Sequence, residues 1–212
     1  MKKILATIVV LGLSLTVTAQ SEKYTEAMTA NLALYDSAKT ADDFLSVSAA
    51  FERIANTEKT QWLPYYYASL AHVMYGMAKR AADENDAIAD KAEQILQKAE
   101  SLQKDNSEIV LVRSLITTLH MLASPMQRYM EYSPQIEALI EKSKQLDPDN
   151  PRPYYIHAMN LRNVPEQFGG GCGVAKPLTE ESIKKFGSFK PASGLHPNWG
   201  LKSAKVLLAS CQ

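Results

Sequence analysis

The stretch FGGGCGVAKP, residues 168–177, concentrates the residue types best suited to chemistry in this 212-residue chain. Glycines beside a lysine can cradle a phosphate, and a cysteine can act as a nucleophile. A phosphate loop, however, needs Gly-x4-Gly-Lys-Ser/Thr after a strand, so that the lysine and hydroxyl reach phosphate and magnesium. Here Lys176 is followed by Pro177 and the preceding pattern is helical, which argues against a nucleotide. A nucleophilic Cys172 would need a base, and the four histidines (His72, His120, His157 and His196) form no Cys–His signature with it. A thiol-dependent hydrolase centred on Cys172 is therefore the enzymatic alternative to a non-catalytic chain. The second cysteine, Cys211, offers a plainer use. Two cysteines in an oxidising compartment pair, and this pairing closes a loop whose chain-entropy stabilisation is roughly 4 kcal/mol. The glycines then shape a tight corner, where positive φ is cheap.

No two histidines are spaced i, i+4, and there is neither HExxH nor CxxC. The spacing calls for no metal and no cofactor, and the missing CxxCH excludes covalent haem attachment. Trp62, Tyr65, Tyr66 and Tyr67 form an aromatic cluster. Three consecutive tyrosines on a helix point in three directions, so at least one faces the core. One left outside would be a stacking platform for a peptide or a sugar, which makes a carbohydrate- or peptidoglycan-associated binding protein another alternative.

The compartment is read from MKKILATIVVLGLSLTVTAQ. Lys2 and Lys3 precede an apolar run from Ile4 to Leu15, and Val17-Thr18-Ala19 supplies small residues at a cleavage site. The run is shorter than the ~20 apolar residues of a membrane span. Residues 1–19 are expected to be a signal peptide cleaved after Ala19, leaving 20–212 as one periplasmic or secreted domain. Lysines plus arginines number 23, as do aspartates plus glutamates. Losing two lysines with the signal leaves a slight acidic excess, with no general attraction to nucleic acid.

Apolar residues then recur every three or four positions, alanine is abundant, and alternating β-branched runs are missing. The expected helices are 22–38, 41–56, 62–80, 84–103, 107–123, 127–146, 151–163, 174–187 and 198–210. Thr40 to Asp43 reads as a capping box. Asp147 to Pro151 cannot continue a helix, because its prolines lack the amide hydrogen and restrict their predecessors. Pro134 predicts a kink or break near Tyr132-Ser133, and Gly187 to Pro197 reads as loop. Three segments superpose: PYYYASLAHV (64–73), EIVLVRSLIT (108–117) and PRPYYIHAMNL (151–161) place Ser69, Ser114 and Ala158 at one equivalent position. A small residue there lets two helices approach closely.

The stretch KSKQLDPDNPRPYYIHAMNL resembles the junction between two tetratricopeptide repeats. Ser143 matches the small position of helix B, Pro148 the terminal proline, and Tyr154 and Ala158 the large and small positions of helix A. Ala92, Leu96 and Ala99 fit the preceding helix B. The units are longer than the usual repeat, and Lys104 stands where a proline is expected. The resemblance implies an all-α, right-handed solenoid of about four helical hairpins with a C-terminal capping helix. It also implies a scaffold for a protein or peptide partner, whose groove is lined by the helix-A face. On this chain that face is Tyr66, Leu70, Leu111, Leu115, Arg152, Tyr155, Met159 and Arg162.

Export should leave Gln20 at the amino terminus, which the intact mass of protein recovered from the native host will show. A mature chain still carrying Met1 would overturn the secretory reading.

Overall fold

The structure, a computed structural model, describes residues 22–211, so the expected signal peptide and its cleavage site lie outside the described residues. The described chain is helical without a strand. Helix α1 covers 22–37, followed by α2 (Ala41–Thr57), α3 (Trp62–Lys79), α4 (Asn85–Leu102) and α5 (Ser107–Leu122). Then come α6 (Pro125–Leu146), α7 (Pro151–Asn163), α8 (Cys172–Ser188) and α9 (Leu201–Ala209). Short 3-10 turns at Ala82–Glu84 and Glu166–Phe168 lead into α4 and α8. None of these helices is long and apolar enough to cross a membrane.

The boundaries follow local chemistry. The Thr40 hydroxyl accepts from the Asp43 amide at 3.2 Å, while the Asp43 carboxylate accepts from the Thr40 amide at 2.9 Å. This reciprocal cap starts α2. Helix α6 ends at Leu146, and Asn150 caps α7 by accepting from the Arg152 amide at 3.0 Å. Of the kink or break expected near Tyr132-Ser133, the break is not found, because α6 passes through Pro134 without interruption. Both Pro134 and Met130, whose carbonyl loses its usual donor, are exposed, so water can bond that carbonyl.

Consecutive helices pack on one another, with α2 on α3, α3 on α4, α5 on α6 and α7 on α8, and α3 also touches α5. Ser69, Ser114 and Ala158 are all fully buried. The Ser69 hydroxyl donates to the Ala92 carbonyl of α4 at 2.9 Å, and Ser107 and Ser143 exchange hydrogen bonds between α5 and α6. Small side chains thus bring the backbones together and keep their hydroxyls satisfied. On the outer side, Asp86 of α4 pairs with Arg128 of α6 and with His120 of α5. The hydrogen bonds from Arg128 and His120 hold its carboxyl down to about 2.

The glycine corner is what its composition suggests. Gly169 and Gly171 take φ of 85° and 88°, and a side chain at Gly170 would collide with the Val164 carbonyl. Cys172 begins α8 and is bonded to Cys211, 39 residues away. The bond ties the chain beyond α9 to the corner, and α9 otherwise packs chiefly on α8.

Replacing Cys211 with serine should speed amide hydrogen exchange across 201–209 while leaving α2 to α5 protected. Equal protection of α9 in both proteins would show that the bond is not what holds it.

Candidate functional site

The surface shared by α3, α5 and α7 is the helix-A face expected to form a groove. The chain covers much of it with its own segment 189–200. Tyr67 donates to the Leu195 carbonyl at 3.0 Å, and the Trp199 indole donates to the Tyr66 hydroxyl at 2.9 Å. His196 meets the edge of Trp62 at 5.9 Å between ring centroids, and burial lowers its pKa. All three tyrosines of the 65–67 cluster are buried. They fill the core rather than form a platform, which removes the feature on which a sugar-binding surface rested. The sulfur of Cys172 is already bonded, which removes the nucleophile of the thiol-hydrolase alternative.

Under segment 189–200, which forms a strap across this face, lies a buried polar hub. Glu108, at the start of α5, accepts from Arg152 Nε at 2.6 Å, Asn150 Nδ2 at 2.6 Å and the Tyr66 hydroxyl at 2.7 Å. Arg152 is fully buried, with its guanidinium 4.6 Å from the Phe189 ring centroid and 5.8 Å from that of Trp199. The two rings thus face a guanidinium whose Nη1 has no hydrogen-bond partner among the described residues. Burial, followed by the Glu108 charge, drives the Tyr66 hydroxyl well above its ordinary pKa. It remains a donor. Arg152, expected to line the groove, is instead paired with the chain's own Glu108.

Beyond the strap the face opens into a cavity of about 550 Å³. Leu70, Val73, Met74 and Met77 of α3 and Leu115 of α5 line its floor, with Tyr155, Ile156 and Met159 of α7 beside them. Tyr35 and Asp36 of α1 and Phe44 of α2 contribute on another side, and residues 198–203 complete it. The Tyr155 hydroxyl points to the Met159 sulfur at 3.7 Å. Burial raises the pKa of both Tyr35 and Tyr155, with Asp36 adding to the effect at Tyr35. Both phenols are thus protonated at neutral pH and present neutral ring faces. Asp36 and Lys202 are the two charged residues of the lining.

Of the eight residues expected to line a groove, Leu70, Leu115, Tyr155 and Met159 meet in this cavity. Tyr66, Leu111 and Arg152 are fully buried, because the strap and the hub occupy their part of the face. Arg162 lies apart, in a surface depression with Asn163, Glu166 and Cys172. Tyr35, Phe44, Met74, Met77 and Trp199 belong to the cavity but escaped the sequence reading. Met74 and Met77 follow Leu70 on α3 at four and seven residues, a spacing that could have found them, whereas Tyr35, Phe44 and Trp199 come from other elements that no local spacing links to this face.

Metal-binding geometry was also illegible in the histidine spacing. Glu137 and Glu141, one turn apart on α6, approach His157 of α7 closely enough to share an ion. The Lys144 ammonium occupies that surrounding, donating to Glu141 at 2.6 Å and to His157 Nδ1 at 2.8 Å. The cluster supplies its own positive charge.

No family model matches the sequence, and no protein of curated function matches it. Among solved structures the chain is similar to the HusA haemophore from Porphyromonas gingivalis, with 31% identity and a TM-score of 0.80. The match covers 89% of this chain and 92% of that one. A haemophore is by name a binding protein rather than an enzyme.

Changing Arg152 to alanine would leave Glu108 buried and unpaired. We expect a loss of roughly 3–5 kcal/mol of folding stability, the usual cost of removing one partner of a buried pair. Denaturant unfolding measures this, and a loss below about 1 kcal/mol, the scale of an exposed pair, would show that the hub is not a stabilising centre.

Proposed function

The chain belongs to the family of the HusA haemophore, and from that footing we propose that it is a secreted, non-catalytic haem-binding protein. The observation that carries the reading is the cavity between α3, α7 and the head of α9. Its volume of about 550 Å³ falls in the ~300–1,000 Å³ range of small-molecule and cofactor sites. Its walls suit a flat, mostly apolar ring. Tyr35, Phe44, Tyr155 and Trp199 offer aromatic faces or edges. Met74, Met77 and Met159 add adaptable thioethers, which are also haem-iron ligands by type.

We also propose that the stacked helix pairs form a tetratricopeptide-like solenoid. Its expected protein or peptide partner fits a second surface better than the strapped groove. Met126, Tyr129 and Met130 stand exposed on one face at the start of α6, the methionines at 96% and 83%. Such an apolar patch suits a protein contact.

Haemin titrated into the protein should bind one-to-one with a shifted Soret band. The double substitution Tyr155→Ala and Met159→Ala should weaken binding about tenfold, or ~1.4 kcal/mol, without abolishing cooperative unfolding. Absence of a spectral change with the unaltered protein would overturn the haem reading. Unchanged affinity in the double variant would move the site elsewhere.

A further inference from the structure

We propose that Lys202 and Lys205 on α9 receive the carboxylate edge of the ligand and so select a porphyrin that carries free acids. This deepens the haem reading and rests on the cavity being the porphyrin site. The argument starts from the distribution of charge. The charged residues of the cavity lining are Asp36 on α1 and Lys202 in the first turn of α9. Where it continues towards Leu32 and Tyr67, the lining includes Asp36. Along α9 a shallow depression is lined by Leu201, Lys202, Lys205, Val206 and Ala209. A ligand with an apolar ring and an anionic edge therefore has one favourable direction. Its acids are repelled at Asp36 and attracted along α9.

Helix α9 has the sequence LKSAKVLLA, with two lysines and no acidic residue. Lys202 and Lys205 are three residues apart, so they share a face, and both are exposed. Among the described residues neither ammonium is paired with a carboxylate. What sets these two apart is their place, since Lys202 lines the cavity and Lys205 lies with it in the adjoining depression. The apolar ring would rest on Tyr155 and Met159 while two flexible, solvated cations meet the carboxylates at the mouth. Haem has two propionate groups, and two lysines match that number.

The test compares protoporphyrin IX with its dimethyl ester, which keeps the ring and loses both charges. Affinities are measured for the unaltered protein and for Lys202→Gln combined with Lys205→Gln, with melting curves on both. The unaltered protein should prefer the diacid. The double variant should lose about threefold to tenfold in diacid affinity, as expected for two solvent-exposed ion pairs, with ester affinity unchanged. Raising salt should reduce the diacid preference of the unaltered protein and barely affect the variant. Equal affinity of the two proteins for the diacid would overturn the proposal, as would an equal loss for both ligands. Binding of neither porphyrin by the unaltered protein would overturn the haem reading itself, and the assignment of the lysines with it.

Discussion

The ion pair between Arg152 and Glu108 sits where α3, α5, α7 and segment 189–200 meet, and each of these elements contributes to it. Arg152 is fully buried and Glu108 nearly so. A buried guanidinium or carboxylate alone would cost several kcal/mol, so neither helix can take its place without the other. Asn150 adds a further constraint, because it caps α7 through its carbonyl and bonds Glu108 through its amide. The start of α7 is thereby set against the start of α5. Tyr66 brings in α3, and its hydroxyl accepts from Trp199 while donating to Glu108. Phe189 and Trp199 then cover the guanidinium. The strap thus closes over a charge whose Nη1 has no hydrogen-bond partner among the described residues.

This arrangement decides where a ligand can go. Once segment 189–200 has covered the hub, the free part of the face lies towards Leu70, Leu115, Tyr155 and Met159. The two ends of the described chain enclose that part, α1 with Tyr35 and Asp36, and the head of α9 with Leu201 to Ser203. The Cys172–Cys211 bond is thus remote from the cavity yet relevant to it. It holds the far end of the helix whose near end is a cavity wall. A rigid hub beside a wall held by one covalent tie separates the task of folding from that of binding.

Much of the helical layout was legible because its causes are local. Apolar spacing marks one face of each helix, Thr40 and Asp43 cap each other across three residues, and the prolines after Asp147 cannot remain in a helix. The small residues Ser69, Ser114 and Ala158 were readable for the same reason, since close packing leaves no room for a larger side chain wherever the repeat recurs. The cysteines were legible as the two thiols of a chain expected outside the cytoplasm. Pro134 does not end α6, because the carbonyl it frees lies on the exposed side of the helix, where water can bond it.

Half of the expected groove was recovered in the cavity, and the other half was lost to the hub. The difference lies in sequence distance. Tyr67 reaches Leu195 across 128 residues and Trp199 reaches Tyr66 across 133. Nothing in the local pattern of a glycine- and proline-containing loop says which surface it will cover. Sequence spacing placed Arg152 on the shared face but did not show what it would meet. Only the packing of α5 beside α7 brought Glu108 to it, because a charge removed from water needs a buried partner. The sequence by itself determined the helices, their caps, their close-packed faces and the covalent tie. The tertiary structure decided which part of the shared face is open, since that depends on where the chain's own distant aromatic residues come to rest.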